Sequence, residues 1–423
     1  MAVESAGALV SPWRFVPPAP ATPPSAPASL LRLRLHFFGV YAMFGCLSPY
    51  LPIYLRDVKN LAPGSLGLVM AAGQIGVLIM PVFMTLLADR YRVVSPLLIA
   101  LFALNTLAVG LLSQAAGFWA CLACVFLFQL ANQPQIALSD GLFFSLQADP
   151  RMPRRPYSSV RVWGTIGFIV ASTLVWLLYD LGDGVKVVPF VAMGVAFASL
   201  VNAVALPRRL GPVANAGGVA RRLPTLDAAA VLLRPRILLL CLGLGLLVAT
   251  NAAYYSFYPL YLSEVAGIGS QWSGVIATIG VTFEIGYMLA FERLRDRFGL
   301  PGLMLLGGGA CVARLAVLAF LPTAGFTIGL QVMHGLTVIG IIIVPAMYLN
   351  SLVPDHCRNS VQGLYVMLVG GGFSIIGNTV SGHVAELGLL TLYRNAFVTC
   401  AMGLGLIALS FLWPRRPSSE PTA

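Results

Sequence analysis

The sequence predicts an all-α membrane protein, with twelve transmembrane helices in two parallel-repeat six-helix bundles. Three observations carry the prediction. Only 10% of the 423 residues are charged and 58% are hydrophobic, against about 25% charged residues in soluble domains. There is too little polar surface to enclose a water-soluble core. The chain also holds twelve apolar runs long enough to cross roughly 30 Å of hydrocarbon at about 1.5 Å per residue. Finally, the stretch from Tyr50 to Arg92 recurs without a gap 207 positions later.

In that repeat Pro52, Tyr54 and Leu55 return as Pro259, Tyr261 and Leu262, and Gly67 and Gly73 return as Gly274 and Gly280. The charged turn Leu87, Asp89, Arg90 returns as Leu294, Asp296, Arg297. A gapless offset keeps element and loop lengths equal in both copies, the mark of a duplicated unit. An even number of spans between the copies leaves them in the same sense, as parallel repeats about an axis along the membrane normal.

Taken in order, residues 1–30 are rich in Pro, Ala and Ser with no apolar core, and read as a disordered cytoplasmic tail. Six apolar runs follow: Leu35 to Leu55, Leu66 to Leu87, Val93 to Leu112, Phe118 to Leu146, Val160 to Tyr179 and Val187 to Leu206. They make an N-terminal bundle over 31–206. Residues 207–235, with three glycines and a cluster of arginines, read as a polar linker. The second six runs are Ile237 to Leu262, Trp272 to Phe291, Gly302 to Leu321, Phe326 to Leu349, Gly363 to Ala385 and Leu390 to Leu412. They make a C-terminal bundle over 236–413, and 414–423 is a second cytoplasmic tail.

The net charge of +11 comes from 24 arginines and two lysines against 15 acids. In a soluble protein this excess would suggest nucleic-acid binding. Here the basic residues flank spans, where they set orientation and meet anionic lipid, and no nucleic-acid partner is expected. With the N-terminus inside, 21 of them fall on the cytoplasmic side and four outside, with Arg314 inside a span. Both termini are therefore expected in the cytoplasm, the chain lying in an inner (plasma) membrane. The seven cysteines lie mostly within apolar runs; Cys121 and Cys124 share CxxC spacing but sit mid-span without partner ligands, so no metal or cofactor is expected. The glycine clusters at 73–76, 307–309 and 370–372 follow no strand and precede no Lys-Ser/Thr, which favours close helix packing over a nucleotide loop. HExxH and GxSxG are absent from plausible loops, and no enzyme is expected.

Polar groups at mid-span are the candidate functional residues. One ionised side chain at the bilayer centre costs about 2.5 to 3.5 kcal/mol, so Asp140, Glu284 and Arg314 need a reason to be there. Glu284 and Arg314 are expected to meet, either as a structural ion pair or as a proton-titrating acid beside a fixed cation. His334 reaches the level of Arg314, as an interior hydrogen-bonding residue or as a group that answers to that charge. Gln133 and Asp140 are seven apart and share a helix face; Arg161 begins a stripe with Thr165, Phe168 and Ser172 and is placed to pair with Asp140, or to serve as a positive-inside flank. Asn251, Tyr254, Tyr255 and Tyr258 form one polar aromatic face, as cavity wall or interfacial anchors. Their repeat counterparts are Phe44, Leu47, Ser48 and Leu51, so this face belongs to the second half alone. Ser374, Asn378 and Ser381 make a weaker stripe.

Several motifs add a family likeness. The hinge LLADRYR, with Thr85 and Arg92 where the superfamily signature normally has Gly, and its second copy LRDRFG resemble the turn between spans two and three of the major facilitator superfamily. YSSVRVWGTIGFI, NAAYYSFYPLYL, Glu284 in TFEIGYMLAF, Arg314 in CVARLAV and His334 in MHG resemble its phenylpropionate permease-like group, relatives of lactose permease-type and nucleoside/proton symporters. The likeness runs from Leu35 to Leu412. It implies a secondary active transporter working by alternating access, with proton-coupled uptake of a small organic solute such as an aromatic acid, sugar or nucleoside, most simply as a monomer. It further implies proton coupling through Glu284, Arg314, His334 and Asp140, and a conformational hinge at Asp89, Arg90, Asp296 and Arg297. Solute binding falls to Arg161, Phe168, Gln133, Asn251, Tyr254, Tyr255, Tyr258 and Asn378. Three positions depart from the pattern: Asn251 stands where the group often has His, Phe168 where the sugar symporters have a stacking Trp, and Thr337 where they have a Glu tied to proton movement. An exporter of amphipathic compounds or a transport-dead sensor remains the alternative.

Overall fold

The computed structural model describes residues 26–91, 94–147, 154–206, 225–353 and 358–413. Among them, twelve helices are long and apolar enough to cross a membrane. They are α1 (Leu30–Asp57), α2 (Pro63–Tyr91), α3 (Val94–Gln114), α4 (Gly117–Gln147), α5 (Ser158–Tyr179) and α6 (Gly184–Val204), then α7 (Pro235–Glu264), α8 (Ser270–Leu289), α9 (Phe291–Phe320), α10 (Ala324–Ser351), α11 (Ser360–Ala385) and α12 (Leu389–Leu412). No strand occurs among the described residues. An apolar run in lipid has no water to satisfy its amides, and the helix satisfies them within the run itself.

Two stretches differ from the sequence reading. The first helix begins at Ala26, so the last five residues of the tail read as 1–30 are helical. Thr225–Leu232, whose sequence TLDAAAVL is rich in Ala and Leu, forms a short helix inside the stretch read as a linker and packs on the start of α11. Residues 1–25, 207–224 and 414–423 lie outside the described residues.

The repeat does not extend to one detail of backbone shape. Proline removes an amide donor and clashes with the carbonyl four residues earlier. Pro52 and Pro259 are repeat partners, yet α7 runs through Pro259 as one helix while α1 breaks between Leu47 and Leu51. The difference is Pro49, whose counterpart is Ser256. The carbonyl that Pro49 leaves without its helical donor is that of Gly45, and it accepts a 2.9 Å hydrogen bond from the Ser172 hydroxyl on α5.

Helix packing in the second half reproduces that in the first. The pairs α1–α5, α2–α4 and α3–α6 correspond to α7–α11, α8–α10 and α9–α12, all in contact. Glycines allow close approaches: a Cβ on Gly73 of α2 would stand 3.0 Å from Gln129 of α4, and one on its repeat partner Gly280 of α8 would stand 2.6 Å from Gln331 and 3.1 Å from His334 of α10. Between the halves the contacts are also repeat-related, α2 against α11 and α8 against α5. The backbones of Gly67 and Gly382 touch at the first seam, where an added Cβ on Gly67 would lie 2.7 Å from the Gly382 Cα.

One end of the bundle is clasped. Arg56, at the end of α1, pairs with Glu264 at the end of α7 and also with Asp57, the repeat partner of Glu264. The Tyr50 hydroxyl donates to the Gln271 carbonyl at 3.0 Å, and Trp176 meets Trp272 with ring centroids 5.3 Å apart.

Candidate transport site

A cavity of about 180 Å³ lies between the halves. The first half contributes Ser48, Pro49 and Phe168; the second contributes Tyr254, Tyr255, Tyr258, Gln331 and His334, with Ser273, Ala277 and Val281 along α8. The break at Pro49 opens α1 at this level, and the polar face of α7 turns toward it. Tyr254 and Tyr258 stack with centroids 4.6 Å apart, one helical turn from each other, and Tyr255 sets its ring edge-on to Tyr254 at 5.4 Å. Gln331 donates from Nε2 to the Tyr254 hydroxyl at 2.9 Å. The Tyr258 hydroxyl donates to the Thr327 carbonyl at 2.8 Å, which holds its ring but leaves it apolar toward the cavity.

Glu284 and His334 meet beside this cavity. Glu284 Oε2 lies 3.4 Å from His334 Nε2, with 29% of the Glu284 side chain and 10% of the His334 side chain accessible. The approach follows from a neighbour. Gly335 packs against the Glu284 backbone, where an added Cβ would lie 2.5 Å from the Glu284 Cα, so α8 and α10 come close enough for carboxylate and imidazole to face each other. A carboxylate and an imidazole at this distance can take up one proton or two, and the charge of the pair changes with each.

The expected meeting of Glu284 with Arg314 is not made. Arg314 is 2% exposed and has no carboxylate partner among the described residues; its guanidinium carbon stands 4.0 Å from the centroid of the Tyr254 ring. Its Nε and Nη2 have no hydrogen-bond partner among the described residues. The electron-rich ring face takes the place that an acid was expected to fill. Thr337, where a Glu was expected by likeness, returns its hydroxyl to the Met333 carbonyl at 3.1 Å.

Asp140 and Arg161 are also neighbours that do not pair. Asp140 accepts a 2.6 Å hydrogen bond from the Tyr157 hydroxyl, while Arg161 lies 3.9 Å over the Tyr41 ring. Gly164 makes room for the second contact, since a Cβ there would meet both Tyr41 and Arg161. Asn378 is turned away from the cavity: its Oδ1 accepts from Ser256 at 2.6 Å, and its backbone faces Gly67 at the α2–α11 seam. Neither Gln133 nor Asn251 lines the cavity. Asp296 and Arg297 are exposed in the first part of α9, just before its kink at Gly299, which adopts φ 65°; the side chains of Asp89 and Arg90 lie outside the described residues.

Five residues of this region escaped sequence reasoning: Gln331, Tyr41, Tyr157, Ser48 and Ser273. Gln331 stands three positions before His334, Tyr157 four before Arg161, and Tyr41 seven before Ser48, all spacings that share a helix face.

A family model described as MFS_1 like family matches residues 30–394. The chain belongs to that family. It is a secondary transporter of small organic solutes, and the likeness read from its motifs holds. Similar proteins include a xanthosine permease of Escherichia coli, 25% identical over 84% of this chain and 88% of its own. A maltose permease of Geobacillus stearothermophilus is 27% identical over 90% of this chain and 94% of its own. A probable 3-phenylpropionic acid transporter of Escherichia coli is 24% identical over 71% and 77%. Among solved structures, the nucleoside transporter NupG superposes with a TM-score of 0.79 at 20% identity, covering 90% of this chain and 98% of its own. A bacterial homologue of the lysosomal transporter Spinster, inward-facing and unoccupied, gives 0.65 at 14%, covering 92% and 96%.

Proposed function

We propose that this major facilitator takes up a ring-bearing organic solute together with protons, and that Glu284 and His334 carry the coupling. The observation that carries the reading is the 3.4 Å contact between a mid-span carboxylate and an imidazole beside a cavity between the halves. Protonation of the pair changes the charge beside a solute held between Phe168 and the α7 tyrosines. Aromatic faces suit a planar ring, as an aromatic acid or a nucleoside carries, better than a sugar alone. Xanthosine and 3-phenylpropionic acid, named for two relatives, both contain one.

The positive-inside bias places the clasped Arg56–Glu264 end outward and both termini in the cytoplasm of an inner membrane. The conformation is then inward-facing, and the bundles over 31–206 and 236–413 rock about the cavity as a monomer, with Asp296, Arg297 and their repeat counterparts at the hinge. Asp140 is a second titrating group, beside Arg161. The permease and transporter names of the relatives support carriage of solute without enzymatic chemistry.

Three measurements test this. Thermal-shift screening of the purified protein over arylalkanoates, nucleosides and sugars should find a stabilising ring-bearing solute. Adding that solute to lightly buffered, de-energised vesicles should then turn the medium alkaline; solute entry with no pH change contradicts proton symport. A membrane-impermeant label should reach a cysteine placed at Gly217 only after the cells are opened, and labelling of intact cells contradicts the orientation.

A further inference from the structure

Ser273 opens the regular helix of α8 on the cavity wall, and its chemistry is out of keeping with its setting. It is 2% exposed, and its hydroxyl has no hydrogen-bond partner among the described residues. A serine inside a helix usually returns its hydroxyl to the carbonyl of the preceding turn. Thr278, Thr282 and Ser374 do so here. Ser273 is the first residue of the α-helical segment, preceded by a single 3-10 turn, Ser270–Trp272, whose Ser270 carbonyl already accepts from the Ser273 backbone amide. In the repeat its counterpart is Leu66, fully buried and apolar, while the next residue is Gly in both copies. The hydroxyl therefore contributes nothing that the duplicated fold needs, and a buried polar group without a partner is destabilising.

From Ser273 the wall runs along one face of α8 through Ala277 and Val281, and Glu284, which meets the cavity-lining His334, follows three residues later on that face. Eleven residues of helix separate the serine from the acid, roughly 16 Å, with apolar side chains between. Ser48 brings a second hydroxyl to the same cavity from the first half, exposed beside Pro49. Along α8 the wall is thus polar at its two ends and apolar between them, while Gln331 and the tyrosines line the cavity from α10 and α7.

We infer that Ser273, on the cavity that Ser48 also lines, is a specificity-determining subsite that hydrogen-bonds a hydroxyl or comparable polar group on the end of the solute remote from Glu284 and His334. The carried molecule is two-headed: a polar group at each end and a flat apolar middle lying against Phe168 and the tyrosines. This rests on the proposed reading of the cavity as the solute site. A site built to hydrogen-bond a substrate group rejects the analogue lacking it, because its own polar atom is then left unpaired.

The test uses two pairs of probes on the whole protein: 3-phenylpropionate against its ring-para-hydroxyl derivative, and a nucleoside against its 5′-deoxy derivative. In at least one pair, wild type should bind the hydroxylated member about fivefold more tightly or better. Ser273→Ala should bring that ratio close to one by weakening the hydroxylated member alone, and Ser273→Thr should restore it. A merely structural serine would weaken both members equally, which overturns the inference. So does a ratio that Ser273→Ala leaves unchanged, or wild-type binding of a pair's members without preference in both pairs. If wild type binds none of the four, while the pH-coupled uptake of another solute survives, the two-headed solute is wrong and the symport reading stands; if no ring-bearing solute binds at all, both fall.

Discussion

Arg314 holds its guanidinium carbon 4.0 Å from the centre of the Tyr254 ring, in a place with no carboxylate beside it among the described residues. A buried cation is tolerated only where some group answers its charge, and a desolvated cation–π contact contributes about 2 kcal/mol or more. Tyr254 also accepts from Gln331 and stacks on Tyr258, so a single ring ties the buried charge to the cavity wall.

Replacing the ring should therefore expose the charge. Tyr254→Leu is expected to destabilise the protein by about 2 kcal/mol in unfolding measured in detergent, and Tyr254→Phe by about 1 kcal/mol through the lost Gln331 bond. Arg314→Met removes the ion as well as its need for a partner, a replacement that is often neutral or stabilising. In that background Tyr254→Leu should lose most of its effect. Equal destabilisation in both backgrounds contradicts the coupling.

Gly335 is the second point where a small change should have a large effect. A Cβ there would lie 2.5 Å from the Glu284 Cα and 2.8 Å from the Tyr287 ring. The first is backbone and cannot rotate away. Gly335→Val is expected to push α8 from α10, lower stability by about 1 to 3 kcal/mol as overpacking does, and reduce pH-driven uptake at least tenfold while solute still binds. Unchanged uptake would mean that the Glu284–His334 approach is incidental.

The fold was open to sequence reading because lipid imposes it over whole segments: each apolar run had to satisfy its own backbone, and the 207-residue offset paired the halves. The break in α1 was not, since Pro49 acts through Gly45, whose carbonyl is satisfied from Ser172 on another helix. The site divides in the same way. Glu284, His334, Phe168 and the tyrosines stood out as polar or aromatic groups at cavity spacing, and the structure brings them to one place. Their pairing did not stand out, because it depends on helix separation set by Gly335. Asn378 had the right periodicity and the wrong neighbour, Ser256. The hydroxyl of Ser273 is conspicuous only once Leu66 is known to be buried in the equivalent place.

The clasp offers a reversible test of rocking. Arg56 and Glu264 are partly exposed, so their pair contributes only about 0 to 1 kcal/mol and should open readily. Cysteines in both places (R56C with E264C) should form a cross-link that abolishes solute exchange, and reduction should restore it. Full exchange by the cross-linked protein contradicts alternating access through this end.

The central claim is that protonation at Glu284 couples the solute to the proton gradient, and uptake into proteoliposomes under an imposed pH gradient tests it most directly. Glu284→Gln keeps the shape and a hydrogen-bonding group beside His334 but fixes the neutral state. It is expected to retain solute binding and solute-for-solute exchange while losing accumulation above the external concentration, because the variant has no proton to release inside. Accumulation by Glu284→Gln equal to that of the wild type would remove Glu284 from the coupling and leave Asp140, bound to Tyr157, as the group that carries it.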